Sequence, residues 1–237
     1  MNSTIIMLTL RAMLGRARAL LLVPLPLILI GLCLIGHLAH PDATDWQHPI
    51  IVGFGFTVIV PLVSLIIGSS VIGSEIDDGT IVHILTKPIP RWEIVLSKLT
   101  VAAGITGLVN GAMLFICGAI VDGPRLAVGL GVGGLISSVC YSALFVALSL
   151  VSRRPVLIGL VYILLWEGLL TNLLTGARSL SIQQYGITLS ARIGGSDLFL
   201  PTLSTVTAVV MAVVVAVVTT VVAVDRLRAF TMRGETS

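Results

Sequence analysis

Ser74-Glu75-Ile76-Asp77-Asp78-Gly79-Thr80-Ile81-Val82-His83-Ile84-Leu85-Thr86-Lys87-Pro88-Ile89-Pro90-Arg91-Trp92-Glu93 interrupts two long apolar runs, Ile50 to Ser74 and Ile94 to Val121. Gly79 breaks whatever helix precedes it, and Thr80 has the side-chain oxygen needed to cap a new one. Ile81, Ile84 and Leu85 then fall on one face of a short helix that Pro88 and Pro90 end abruptly. Two turns of helix are too short to stand alone in water. An apolar ridge flanked by Glu75, Asp77, Asp78, Lys87 and Arg91 instead suits an element that docks into a partner's groove.

Outward from this stretch the chain is apolar almost throughout. Continuous runs without Lys or Arg extend over Leu20 to Leu38, Ile50 to Ser74, Leu126 to Val151, Val156 to Leu174 and Leu203 to Val224. Ile94 to Val121 makes a sixth, with Lys98 near one end, where a long side chain is expected to reach back to the interface. About 20 helical residues cross the roughly 30 Å of hydrocarbon in a bilayer, so each run reads as a membrane helix. The 237 residues are 56% hydrophobic and only 11% charged, with a mean hydropathy of +1.10, which excludes a soluble core. The expected fold is an all-α membrane protein of six crossings in a single domain over residues 1–237.

The formal charge of +3 does not point to nucleic acid, because the basic residues cluster between apolar runs rather than along one face. With the N-terminus inside, only Arg125, Arg178 and Arg192 of the 14 Lys and Arg residues lie outside, a bias that places both termini in the cytoplasm. Ile6, Leu10, Met13, Leu14 and Ala17 recur at helical spacing while Arg11 and Arg18 share another face, so residues 1–19 read as an amphipathic helix on the inner leaflet. The apolar stretch that follows is too long for a signal peptide, and no small-x-small site follows it.

The loop pattern Glu75, Gly79-Thr80, Leu85, Lys87-Pro88, Pro90-Arg91 and Lys98, set between the second and third of six helices, resembles that of type-2 ABC exporter permeases. The resemblance implies that residues 75–93 form the coupling helix contacting a separate ABC ATPase subunit, with Glu75, Asp78, Gly79, Thr80, Ile81, Leu85, Lys87, Pro88, Pro90 and Arg91 as the contact set. It also implies two permeases, identical or related, with two ATPase subunits that bind the ATP and Mg. No cofactor is expected in this chain, and it holds no G-x-x-x-x-G-K-[ST] phosphate loop. The implied function is export of a hydrophobic or amphipathic cargo by alternating access in the cell membrane. The chain itself is then not an enzyme, and it carries neither H-E-x-x-H nor G-x-S-x-G.

Glu167 lies about 12 residues into the fifth run, near mid-membrane at 1.5 Å per residue, where an ionised side chain costs about 2.5 to 3.5 kcal/mol. Glu167, with Asn110 and Asn172, is a candidate lining of a translocation path. A hydrogen bond between helices is the equally weighted alternative. A carrier coupled to protons or ions through Glu167 is the competing function, although no internal repeat supports it. His37, His40 and His48, with Asp42 and Asp45, have weak spacing for a metal and read as a solvated loop, so no metal site is expected. Trp46 and Trp92 read as interfacial anchors.

Packing signals complete the reading. Gly107 and Gly111, and Gly129 and Gly133, have the four-residue step that lets helices approach closely in lipid. Pro24, Pro26 and Pro61 should bend their helices. The valine-rich last run has no polar stripe and belongs at the periphery. Cys33, Cys117 and Cys140 should be free thiols. Residues 175–201 mix apolar and polar side chains and should form short interfacial or re-entrant helices at the outer mouth.

Overall fold

Prolines and glycines set where the helices begin, turn and change winding. The computed structural model describes residues 23–39, 45–77, 90–152, 154–173, 175–195 and 203–234, and these are helical throughout except for short turns. Helix α1 is Pro24–Ala39, and α2 is Pro49–Ile59 continuing as Val60–Asp77. Helix α3 is Arg91–Val121, α4 is Pro124–Val151, and α5 is Pro155–Val161, Tyr162–Leu170 and Thr171–Leu173. A 3₁₀ turn, Thr175–Leu180, leads to α6, Ile182–Gly194, and α7 is Thr205–Gly234. Stretches long and apolar enough to cross a membrane are Pro49–Val71, Arg91–Val121, Pro124–Val151 and Thr205–Arg228, while Pro24–Ala39 and Pro155–Leu170 are shorter apolar helices.

Two prolines expected to bend α1 are accommodated without disrupting its hydrogen bonds. Pro24 and Pro26 occupy the first turn of Pro24–Ala39, where the missing N–H groups have no intrahelical partner to lose. Pro61 acts differently. The chain is π-wound from Pro49 to Ile59 and returns to α winding at Val60, immediately before the proline. An α-helix there would press the Pro61 ring on the carbonyl of Thr57, and the wider turn ahead of it relieves that clash. The Thr57 hydroxyl donates to the Val52 carbonyl at 3.0 Å, five residues back.

Helix α4 is the centre of the bundle and packs on α2, α3, α6 and α7. Its composition explains this, because Gly129, Gly131, Gly133, Gly134, Ser137, Ser138 and Ser142 are all buried and leave neighbours room on several sides. It follows α3 through Asp122 and Gly123, whose φ of 86° turns the chain into Pro124. Tyr141 and Phe145 stack with ring centroids 5.9 Å apart, and Phe145 meets Tyr162 of α5 edge-on at 6.4 Å.

Helix α1 lies on α3, burying Leu29 and Cys33, and Cys33 faces Cys117. All three cysteines are free and buried. The Trp46 ring covers Gly36 of α1, so this tryptophan packs on protein. Helix α7 meets the sequence expectation: only 17% of its apolar window is buried, through Ala208, Ala212 and Ala223, with Leu227 buried beyond that window.

Candidate functional site

Three places carry chemistry: the facing ends of α2 and α3 on either side of residues 78–89, a polar seam between α2, α3 and α4, and the seat of α6. At the first of these, α2 runs to Asp77 and α3 starts at Arg91 after Pro90, whose extended backbone (φ −62°, ψ 133°) caps it. The Glu93 N–H donates to the Pro90 carbonyl at 2.9 Å, and the Glu93 carboxylate sits in the first turn, where the helix dipole favours an acid. Asp78, Gly79, Thr80, Ile81, Leu85, Lys87 and Pro88 lie outside the described residues, as does the side chain of Glu75.

Lys98 departs from the sequence expectation. Rather than reaching the interface, it is 2% exposed, and its Nζ donates to the Val71 carbonyl of α2 at 3.1 Å. The side chain therefore joins α3 to α2 a few residues before each meets the intervening segment. A buried ammonium needs such partners, because removing it from water without them costs several kcal/mol, on the order of a whole helix contact.

The seam is built on Asn110. Its Nδ2 donates to Ser138 Oγ at 2.9 Å on α4 and to the Val60 carbonyl at 3.3 Å on α2, with Ser64 Oγ at 3.5 Å. One turn away Thr106 Oγ1 and Ser142 Oγ are 2.8 Å apart. One amide thus ties three helices at the point where α2 leaves its π winding. Interhelical hydrogen bonds in lipid average about 0.6 kcal/mol with a maximum near 1.7, so Asn110→Leu should cost about 1 to 2 kcal/mol. The loss is to be read as a lower melting temperature of the purified protein in detergent, and an unchanged temperature would show that these bonds contribute nothing.

Glu167 is fully buried on the π-wound part of α5. Every described bond to its carboxylate is accepted: from the Ser181 hydroxyl, from the Ile182 N–H at 3.0 Å and from the Tyr162 hydroxyl at 3.2 Å. Tyr141 of α4 lies beside it. Ser181 and Ile182 are the start of α6, so the acid bonds the helix that follows it rather than facing Asn110. Asn172 falls in Thr171–Leu173, with its side chain outside those described.

Helix α6 is itself almost wholly buried against α4. A Cβ on Gly133 would come 2.0 Å from Ser190 Oγ and 2.4 Å from the Gly186 carbonyl oxygen, and one on Gly129 would meet Gly194 N and Ser190 O, each at 2.6 Å. The Gly129 and Gly133 pair therefore does serve close approach, and its counterpart is Gly186, Ser190 and Gly194, at the same four-residue step. That step was readable in the sequence. The Gly107 and Gly111 pair instead receives Leu135 of α4.

Residues 11–175 match the family profile described as ABC-2 family transporter protein, which is more than half of the chain. The chain belongs to the ABC-2 transporter permease family. No curated protein matches it.

The permease is accordingly a multi-pass membrane protein and the membrane component of an ABC transporter, a component that associates with an ABC ATPase and is not itself the ATPase. The match covers residues 75–93, Asn110, Glu167 and Asn172, and ends before α6. Among the permease's described residues, no group of three or more His, Cys, Asp or Glu could hold a metal, and His40 and Asp42 lie outside them. Sequence reasoning missed Ser181, Ile182 and Tyr162 as partners of Glu167. Two of them bond across 14 or 15 residues, one through a backbone N–H that leaves no mark in composition.

Proposed function

We propose that the permease crosses the membrane six times with both termini in the cytoplasm. In this reading it exports a hydrophobic or amphipathic cargo by alternating access as one of a pair of permeases in the cell membrane. The observation that carries this is the family match over residues 11–175, which contains the loop pattern from Glu75 to Lys98 between the inner ends of α2 and α3.

In this reading residues 75–93 are the coupling loop, with the coupling helix itself around Thr80 to Leu85. Closure of the ATPase dimer on ATP and Mg moves that helix, and α2 and α3 move with it. Glu75, Asp78, Gly79, Thr80, Ile81, Leu85, Lys87, Pro88, Pro90 and Arg91 supply the contact. Glu167, with Asn110 and Asn172, lies along the translocation path in this reading. The scarcity of charge along the helices supports a cargo that is not a small hydrophilic ion.

The test is co-purification of the full-length permease with candidate ABC ATPases, followed by ATPase assay in lipid. Gly79→Pro and Glu75→Ala should each reduce ATPase recovery or its stimulation by the permease several-fold. Binding and stimulation equal to wild type in both variants would remove the coupling role. Transport driven by a proton gradient without ATP would favour the carrier that uses Glu167.

A further inference from the structure

A helix with buried ends faces an accounting problem. Four N–H groups at its start and four C=O groups at its end lack intrahelical partners, and the membrane interior supplies no water to take them. Helix α6 has this problem at its start, because Ser181, Ile182 and Gln183 are buried, whereas Arg192, Ile193 and Gly195 at its finish are exposed.

Its middle gives little polar anchorage to the rest of the bundle. Gln183 Oε1, Thr188 Oγ1 and Ser190 Oγ are buried without a hydrogen-bond partner, and the Tyr185 hydroxyl bonds back to Ser179 in the turn just ahead of the helix. The small residues against α4 set a distance of approach but no register, since a face of glycines and serines can slide.

The ends are different. At the start, Ser181 stands in the capping position, but its hydroxyl does not turn back on the helix; it donates to Glu167. Glu167 in turn accepts the Ile182 N–H at 3.0 Å, so a carboxylate from α5 takes the place of the missing cap. At the finish, Gly195 takes a left-handed conformation (φ 62°) and its N–H closes on the Ala191 carbonyl at 2.9 Å. The Arg125 guanidinium lies against that turn: a Cβ on Gly195 would come 2.8 Å from Arg125 Cζ and 2.9 Å from Nη2. The helix dipole puts partial positive charge beside Glu167 and partial negative charge beside Arg125, so both side chains have the favourable sign.

We propose that Glu167 and Arg125 are positioning residues that seat α6 by its two ends and fix its register on α4. Glu167 is buried and hydrogen-bonded to the helix start, whereas Arg125 is exposed and screened, so the first carries most of the effect. The seat itself is a property of the permease alone. That α6 then moves as a unit when the transporter cycles rests on the reading as an ATP-driven transporter.

The experiment is hydrogen exchange of the full-length permease in lipid nanodiscs, comparing wild type with Glu167→Gln, Arg125→Gln and Arg125→Lys. Glutamine keeps the shape and an acceptor at position 167, so the fold is retained while the charge is lost. Exchange at the first turn of α6 should rise about tenfold in Glu167→Gln. Exchange at residues 191–195 should rise about two- to threefold in Arg125→Gln and return to wild type in Arg125→Lys. Each change should stay at its own end, with α3 and α4 as protected as before. Unchanged exchange at both ends overturns the proposal, and so does loosening spread evenly over α3, α4 and α6, which would mark an ordinary loss of stability. A second arm adds the ATPase partner and ATP. If α6 of wild type does not respond while the end-specific effects persist, the transport reading fails and the seat stands.

Discussion

Gly133→Ala should give a permease that either fails to accumulate or melts about 10 °C lower in detergent, the largest effect expected from adding one methyl group among the described residues. The added Cβ would sit 2.0 Å from Ser190 Oγ and 2.4 Å from the Gly186 carbonyl oxygen. The hydroxyl can rotate away, but the carbonyl belongs to α6 itself and yields only if the whole helix lifts off α4. Gly186 is equally tight from the other side, with Ser137 Oγ 2.1 Å and Phe56 Cε1 2.8 Å from its would-be Cβ. Overpacking a rigid core costs about 1 to 3 kcal/mol and more when backbone must move. A domain of this size loses roughly 2 to 4 °C per kcal/mol, which gives the figure above. Gly31→Ala and Gly104→Ala are the controls, because a Cβ at either meets nothing within 4 Å. Alanine is the better helix former, so both should melt at or slightly above the wild-type temperature. A Gly133→Ala protein as stable as these controls would show that α6 is not held this closely.

Lys98→Met should leave a folded permease that binds its ATPase but transports roughly tenfold less per ATP consumed. Methionine keeps an unbranched apolar stem of similar reach, so little packing is lost. What it removes is the bond from Nζ to the Val71 carbonyl, 3.1 Å long and shielded from water. A hydrogen bond to a charged group contributes about 1.5 to 3 kcal/mol, a factor of about ten to a hundred in the population of the joined arrangement. Because Val71 and Lys98 flank the segment proposed to receive the ATPase stroke, untying them lets α2 and α3 respond separately. The ratio of cargo moved to ATP hydrolysed reports the loss, and spin labels placed on the two helices should show a broader distance distribution. A wild-type ratio in Lys98→Met would remove Lys98 from the transmission of force.

Much of this architecture could be read before any coordinates. The valine runs from Val213 to Val222 placed the last helix at the edge because they offer neighbours nothing to bond, and only 17% of its window is buried. Gly129 and Gly133 announced a close contact because missing side chains are visible in a sequence. Their counterpart was harder to see, since Gly186, Ser190 and Gly194 are interleaved with Gln183, Gln184 and Arg192 in a segment that reads as polar. The π winding of Pro49–Ile59 and Tyr162–Leu170 was not legible at all. It differs from α winding by one residue in the hydrogen-bond step and needs no different composition. Lys98 was misjudged for a related reason: a lysine near a helix end ordinarily escapes to water, and only the position of the neighbouring helix shows that its way out is closed.

Helix α7 fully buries only a line of alanines and one leucine, Ala208, Ala212, Ala223 and Leu227, with Met211, Val215 and Val224 partly buried against the bundle beside them. Natural selection can inspect such a segment at only a handful of sites. Everywhere else, valine, leucine, isoleucine and phenylalanine are interchangeable in hydrocarbon, so related permeases should diverge fastest along this stretch while keeping the alanine line. Its tolerance makes it the place to append a reporter or purification handle without disturbing the machine.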